Sequence, residues 1–234
     1  MANLGVFFDL VGTLIHGRTT IGEQYAFWAR RFGAEEADPD RLEAAFRRAM
    51  LAAPRMAFPG RSRRDAEALE RAWWKQLVRA VIGDAGLSPA LAGTTFDLFF
   101  ENLFSHFTTE QAWQTYQDAI PALTRLHARG LIVGVITNYD ARVYAVLDTL
   151  GLSPLLDSVT IPADVGASKP DAAIFAHALV RHGLDASDAL FVGDELEDDY
   201  RGAVEAGMQA LLLDRDGRWT GMQGIDSIPD LREL

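Results

Sequence analysis

Five short, mainly apolar runs recur along the chain, each between four and six residues long. Continuous apolar runs of this length, without the alternation expected of a half-solvated strand, are typical of strands buried on both faces of a parallel sheet. We therefore predict buried strands at residues 4–9, 131–136, 158–161, 189–192 and 210–213.

From residue 120 onward, amphipathic segments alternate with these strands, and each segment stops at a glycine. The segment 120–129 places Leu123 and Leu126 on one helical face. The others are 142–150, 172–182 and 200–206. Because glycine directly after the last periodic residue commonly ends a helix, we predict a helix over each segment. Alternating strands and helices are typical of an α/β fold, a doubly wound parallel sheet with helices on both faces.

The interval of residues 18–112 breaks this alternation because it contains no convincing strand. Its amphipathic segments predict helices at residues 23–32, 41–51, 64–82 and 90–107, with a proline-containing loop at 53–62. We predict a helical insertion folded as its own small lobe, so that residues 1–17 and 113–234 form the core domain.

The composition fits a full globular core and excludes several kinds of site. Of the 234 residues, 49% are hydrophobic and none is cysteine, which excludes disulfides, thiolate metal sites and cysteine nucleophiles. The apolar runs fall far short of the roughly 18 to 20 residues that a membrane span requires. The N-terminus lacks the basic region of a signal peptide, so we expect a cytoplasmic protein with no membrane partner.

The charge balance limits the class of partner. A formal net charge of −11 argues against nucleic acid, whose phosphates are bound mainly by lysine and arginine. The same charge would repel a small anionic substrate unless a local positive group overrides it. Only two basic residues are lysines, Lys75 and Lys169, which indicates that a compact positive charge is needed at these positions.

Polar residues follow four of the predicted strands, at the end where each strand stops. In an open parallel sheet these carboxyl ends share one rim, where ligands bind. The rim would carry Asp9, Val11, Gly12 and Thr13 after the first strand, Thr137 and Asn138 after the second, Lys169 beyond the third, and Asp194, Glu195, Asp198 and Asp199 after the fourth. Each residue alone is more often a turn or capping residue, but their joint placement indicates a polar site.

Four segments in this order resemble the motifs of the haloacid dehalogenase-type hydrolase superfamily. They are FFDLVGTL, VITNYD, SKPDAAIF and FVGDELEDDYRGAVEAGM, and the resemblance covers the whole chain. Residues 18–112 match the helical cap domain that such enzymes often insert after the first motif. The resemblance implies a Rossmann-like core with a mobile cap closing over the rim, and hydrolysis of a small phosphorylated metabolite.

The resemblance also implies how the substrate would be handled. Asp9 would attack phosphorus and form an aspartyl phosphate, which requires neutralisation of the phosphoryl oxygens. Thr137, Asn138 and Lys169 would bind those oxygens. The turn residues Gly12 and Thr13 would contribute to the same phosphate site.

A magnesium site is implied by the same motifs. Asp9 and Asp194 side by side would be costly as two bare carboxylates, and a shared Mg²⁺ would relieve the repulsion. The backbone carbonyl of Val11 would be a further ligand. Asp199 would orient a metal-bound water, and Glu195 or Asp198 could share that task.

Val11 departs from the superfamily pattern, which has a second aspartate at this position. That aspartate protonates the leaving oxygen and later activates water, and an isopropyl group can do neither. Loss of a positioned general acid or base typically lowers the rate by about 10² to 10⁴. His16, near the rim, is a candidate substitute proton donor.

Four functions remain open from the sequence. The first is a Mg²⁺-dependent phosphohydrolase that is slow on alkyl phosphates but adequate on substrates with good leaving groups, or that recruits an acid from the cap or the substrate. The second is a metal-independent 2-haloacid dehalogenase, which needs no leaving-group proton but must bind a substrate carboxylate. A phosphonatase-like hydrolase would require Lys75 as a Schiff-base residue. The fourth is a catalytically weak protein that binds a phosphometabolite or another protein. We expect a monomer or a homodimer.

Overall fold

The computed structural model describes residues 4–234, and a six-stranded parallel sheet lies at its centre. The strands are β1 Gly5–Phe8, β2 Ile15–Gly17, β3 Trp113–Thr115, β4 Ile132–Ile136, β5 Ser158–Thr160, β6 Ala189–Gly193, β7 Gln209–Leu213 and β8 Ser227–Ile228. The sheet order is β5-β4-β1-β6-β7-β8, while β2 and β3 form a separate antiparallel ribbon. The predicted α/β fold with a parallel sheet is confirmed.

Helices cover both faces of this sheet. The α-helices of the described residues are α1 Ile21–Arg31, α2 Pro39–Ala52, α3 Arg63–Asp84, α4 Gly93–His106, α5 Ala119–Ala128, α6 Val143–Thr149, α7 Pro162–Val165, α8 Ala172–His182 and α9 Gly202–Glu205, and the first four belong to the segment between β2 and β3. Successive side chains of β1 point to opposite faces, as the pleat of a strand requires. Val6 and Phe8 join the apolar cluster that includes α5, while Phe7 packs with Phe175 of α8.

Three of the four helices between β2 and β3 begin at favourable capping residues, and α4 begins after Ala92 without a side-chain cap. Thr20 and Glu23 form a capping box at the start of α1, and Asp38 caps α2, whose first residue is Pro39. Ser62 caps α3 in the same way. These side chains accept hydrogen bonds from backbone N–H groups that have no partner within the helix. The helices predicted at 23–32, 41–51, 64–82 and 90–107 are all present, with ends shifted by up to three residues.

The β2–β3 ribbon joins the two ends of this helical segment. Gly17 pairs with Trp113, and Ile15 pairs with Thr115. The chain therefore leaves the sheet and returns to it at adjacent positions. The division into a core domain and a cap domain at residues 17/18 and 112/113 stays a prediction.

The segment after β6 differs from the helix predicted over 200–206. Leu196–Arg201 forms a π-helical turn, and only Gly202–Glu205 continues as α9. The wider turn lets the Asp199 side chain fold back, where its Oδ2 accepts a hydrogen bond from the Glu195 N–H at 3.0 Å. A π-helical turn of this kind often marks a functional site.

Among residues 4–234, no helix combines the length and the apolar character needed to cross a membrane.

Candidate active site

The carboxyl ends of β1, β4 and β6 bring the predicted rim residues together. β1 lies between β4 and β6, and the Asp9 N–H continues the ladder by donating to the Val192 carbonyl at 2.9 Å. Thr137 follows β4 and donates its N–H to the Thr160 carbonyl of β5 at 3.1 Å. Asp194 follows β6 directly. Three adjacent parallel strands thus deliver their terminal side chains to one place.

Lys169 lies at the centre of the site with its side chain only 2% exposed. Its Nζ donates to Asp9 Oδ1 and to Asp199 Oδ1, both at 2.6 Å. Burial lowers the pKa of Lys169, but the charges of Asp199 and Asp9 outweigh that effect, so the pKa is raised overall. Lys169 is therefore a permanent cation held between two carboxylates.

Asn138 fixes the backbone of Lys169. The Lys169 N–H donates to Asn138 Oδ1 at 2.8 Å, and Asn138 Nδ2 donates to the Lys169 carbonyl at 3.1 Å. The side-chain amide is thus committed to the protein, so any phosphate contact from Asn138 would have to use its backbone N–H. This positioning contact between the second and third motifs was not foreseen from the sequence.

Three carboxylates share the site with a single lysine. Oxygen atoms of Asp9, Asp194 and Asp199 all lie within 4.8 Å of one another. Burial, followed by the charge of Asp9, raises the pKa of Asp194 to about 8. Burial also raises the pKa of Asp199, to about 6, although Lys169 opposes the shift. The site carries more negative charge than its lysine can neutralise.

This donor set fits a hard divalent cation. Carboxylate and carbonyl oxygens are the ligands that Mg²⁺ prefers, and a cation would relieve the charge excess around Asp194. The turn after Leu10 uses the carbonyls of Leu10 and Ile15 as acceptors and leaves that of Val11 available. Both Asp199 oxygens are already engaged, by Lys169 and by the Glu195 N–H, which favours an outer position for Asp199.

The turn between β1 and β2 supports Asp194. Gly12 has a φ of 97°, and a Cβ atom at this position would lie 2.3 Å from an Asp194 oxygen, so only glycine fits. The buried Thr13 hydroxyl donates to Asp194 Oδ1 at 3.3 Å. Gly12 and Thr13, predicted as phosphate-site residues, are thus found holding the Asp194 carboxylate.

A cavity of about 390 Å³ separates this polar rim from the helical segment. Asp9, Thr137, Lys169 and the 37%-exposed Val11 lie along its floor. Val11 therefore presents an isopropyl group at the position where the resemblance implies an aspartate.

Two candidate residues, Lys75 and His16, lie away from this cavity. Lys75 pairs with Asp97 at 2.8 Å and does not line the cavity, which leaves the phosphonatase alternative without its lysine. The His16 ring stacks on Tyr116 with centroids 4.4 Å apart and lines a different pocket. Neither residue is placed to replace the missing acid.

Contacts between the helical segment and the rim were missed from the sequence. Arg55 of the predicted loop donates to Asp198 Oδ1 at 2.7 Å and to the Lys169 carbonyl at 3.1 Å. Glu70 of α3 is buried and accepts a hydrogen bond from the Ala141 N–H at 3.1 Å. The polar residues involved are visible in the sequence, but their partners lie 71 to 143 positions away, and no local pattern pairs them.

The parallel sheet and the buried Asp–Lys–Asp cluster at its rim define a Rossmann-like hydrolase. A family model described as haloacid dehalogenase-like hydrolase matches residues 4–207. The chain belongs to the haloacid dehalogenase-like hydrolase family. It is 32% identical to the haloacid dehalogenase-like hydrolase domain-containing protein 3 of Danio rerio, over 96% of this chain and 94% of that protein.

Two solved structures similar to the chain differ in their chemistry. One is a HAD phosphatase from Thermococcus onnurineus, 26% identical with a TM-score of 0.67, covering 100% of this chain and 96% of that structure. The other is a 2-haloacid dehalogenase from Pseudomonas syringae, 28% identical with a TM-score of 0.67 and the same two coverages. The family is therefore established, whereas the reaction has to be argued from the site.

Proposed function

We propose that the chain is a Mg²⁺-dependent phosphohydrolase that acts on a small phosphorylated metabolite through an aspartyl phosphate. The observation that carries the proposal is the buried cluster in which Lys169 Nζ lies 2.6 Å from Asp9 and from Asp199, with Asp194 beside them. A buried nucleophile, a fixed cation and surplus carboxylates are what phosphoryl transfer to a protein oxygen needs.

Asp9 is the nucleophile in this proposal. Its carboxylate oxygen forms a bond to phosphorus, and the ester P–O bond breaks with its electron pair leaving on the substrate oxygen. Water then attacks the aspartyl phosphate, which releases inorganic phosphate and restores the carboxylate. Because Oδ1 is held by Lys169, Oδ2 is the oxygen free to attack.

Lys169 and Thr137 supply the fixed positive charge and the hydroxyl at the rim. The Lys169 ammonium is preorganised by Asp9, Asp199 and the backbone clamp of Asn138, so no reorganisation is needed as charge moves onto the phosphoryl oxygens. The Thr137 hydroxyl lines the same cavity and can donate to a phosphoryl oxygen.

Asp9, the Val11 carbonyl and Asp194 are the residues that would hold Mg²⁺, with Asp199 behind them. When bound, the ion would supply positive charge to the phosphoryl oxygens and between the carboxylates. Thr13 and Gly12 keep Asp194 turned toward Asp9, and this is the contribution of the turn. We further propose that residues 18–112 act as the cap that covers the cavity.

A haloacid dehalogenase is less well supported by the charges at this site. A 2-haloacid carries a carboxylate, which needs an unpaired cation beside the nucleophile. Lys169 is already shared by two carboxylates, and Asp194 adds a third within 4.8 Å. A bare haloacid would therefore meet net negative charge, whereas a phosphate ester could bind together with the divalent cation.

Hydrolysis of 4-nitrophenyl phosphate, measured with Mg²⁺ and with chelator, tests the proposal. We expect turnover that requires the metal and is lost in Asp9→Asn, with the variant's fold checked by circular dichroism. Asn138→Ser is a useful comparison because it loosens the Lys169 backbone but keeps the nucleophile. Unchanged turnover in Asp9→Asn would overturn the proposal. Halide release from 2-chloropropionate in chelator would favour the dehalogenase instead.

A further inference from the structure

We infer that the substrate carries an apolar aromatic body on an aryl leaving oxygen, in place of a sugar or a second charged group. The inference deepens the proposed phosphohydrolase function and rests on it. Two independent features carry it, namely the wall of the cavity opposite Asp9 and the side chain at position 11.

The first feature is the wall that the helical segment presents to the rim. Among residues 18–112, those that line the cavity are all apolar or aromatic. The largest are Tyr25, Phe46, Trp74, Phe100, Phe104 and Phe107. Aromatic walls bind flat apolar groups through buried area and ring contacts, and they offer a polyol few hydrogen bonds. The organic part of the substrate would lie against this wall while its phosphate meets the rim.

The cations that line this cavity are already paired. Arg142 donates from Nε to Asp140 Oδ1 at 2.9 Å and from Nη1 to the Phe104 carbonyl at 3.0 Å. Its guanidinium also stacks 3.7 Å above the Phe104 ring. Lys169, the other lining cation of the described chain, lies between Asp9 and Asp199. Both positive charges are therefore neutralised by carboxylates within the protein.

Negative groups complete the lining. Glu195 and Asp198 line the cavity next to the rim, and the Asp198 carboxylate is shared with Arg55. A carboxylate or a second phosphate on the substrate would lose its water here and gain no free cation. A neutral apolar group has no charged hydration to lose. The charges that line the cavity and its aromatic wall therefore favour the same class of ligand.

The second feature is Val11, which lines the cavity beside Asp9 and carries no proton. Without an acid at position 11, reaction is easiest for a leaving oxygen that is stable as an anion. A phenolate is a much weaker base than an alkoxide, so an aryl ester depends least on the missing acid. The isopropyl group also extends the apolar surface toward the reacting oxygen.

A pair of aryl phosphates of similar phenol acidity separates body polarity from leaving-group chemistry. With saturating Mg²⁺ we expect kcat/KM for 1-naphthyl phosphate to exceed that for 4-carboxyphenyl phosphate by about tenfold or more, as expected from burying a ring instead of a charge. Met50→Arg should narrow or reverse this preference, because Met50 lines the cavity and its 41% exposure leaves room for a longer side chain.

Leu51→Arg is the matched control. It adds the same charge one residue further along α2, at a side chain that is 89% exposed and outside this cavity. The preference for the naphthyl ester should be unchanged in this variant. Equal kcat/KM for the two esters, or a preference that both variants alter alike, would overturn the inference while leaving the phosphohydrolase proposal intact.

Binding of 1-naphthol, followed by calorimetry, distinguishes the two ways to fail. In the first case neither ester is hydrolysed, but 1-naphthol binds to the wild type and to Leu51→Arg, and binds at least tenfold more weakly to Met50→Arg. The phosphohydrolase proposal then fails, while the proposed class of ligand stands. If no ester is hydrolysed and 1-naphthol does not bind, both are wrong.

Discussion

Replacing Val11 by aspartate should restore leaving-group protonation, and the gain should depend on the leaving group. Val11 lines the same cavity as Asp9 and is 37% exposed, so a carboxyl group at this position reaches the cavity without entering the core. The backbone carbonyl is unchanged by the substitution. We therefore expect Val11→Asp to fold normally and to keep the magnesium dependence proposed for the wild type.

The expected size of the effect follows from the role of the missing group. A positioned acid contributes a factor of about 10² to 10⁴ in rate. We expect a value at the low end of this range, because the surroundings of position 11 are adapted to valine. For an alkyl ester we expect kcat to rise about 100-fold, which corresponds to about 2.7 kcal/mol of transition-state stabilisation. For an aryl ester, whose oxygen departs as a stable anion, the gain should stay below about tenfold.

The assay compares 2-phenylethyl phosphate with 1-naphthyl phosphate, since both carry an aromatic body but only the first has an alkyl leaving oxygen. Val11→Asn is the matched control, because an amide has nearly the shape of the acid but no acidic proton. The reasoning would be refuted by an equal gain for both esters, or by an equal gain in Val11→Asn.

Three further predictions concern stability and the contacts around the rim. Lys169→Met should abolish turnover and lower the free energy of unfolding by about 3 to 5 kcal/mol, because it leaves buried carboxylates unpaired. For the same reason, adding Mg²⁺ should raise the thermal midpoint of this variant more than it raises that of the wild type. Arg55→Ala should change stability by at most about 1 kcal/mol, because its ion pair is solvated, but it should raise KM. The control Arg48→Ala removes a comparable exposed ion pair and should leave KM unchanged. Burial raises the pKa of Glu70 to about 7 from 4.5, so the folded state binds more protons and stability falls as the pH rises between these values. Glu70→Gln should therefore be more stable than the wild type by about 2 kcal/mol above pH 7, with the difference shrinking toward pH 4.5 in chemical denaturation; a constant difference across that range would contradict the assignment.

The fold was predictable because most strands of the sheet have an apolar pattern that is visible within a short stretch of sequence. The strands β1, β4 and β6 contain only apolar residues and glycine, and β7 departs from this only at Gln209, as burial on both faces requires. The exception is β5, Ser158–Thr160, which is mainly polar. The ribbon strands β2 and β3 are only three residues long and carry no such pattern. Their pairing depends on two chain segments about 100 residues apart, which no sequence window contains.

The rim could be predicted for a similar reason, but the roles within it could not. The carboxyl ends of parallel strands lie along the same edge of the sheet, so the topology alone places Asp9, Thr137 and Asp194 at that edge. The direction of a side chain does not follow from it. The Asn138 amide faces the Lys169 backbone and the Thr13 hydroxyl faces a carboxylate, and both contacts are set by long-range packing.

The pairing of Gly17 with Trp113 makes residues 18–112 a segment that could be exchanged as a unit. The residues of this segment that form the wall opposite Asp9 enter and leave through two neighbouring backbone positions, while the proposed nucleophile Asp9, Lys169 and the acidic cluster lie outside the segment. A different helical module spliced between these positions would meet the same reaction centre, so selectivity could be recombined without redesigning the sheet.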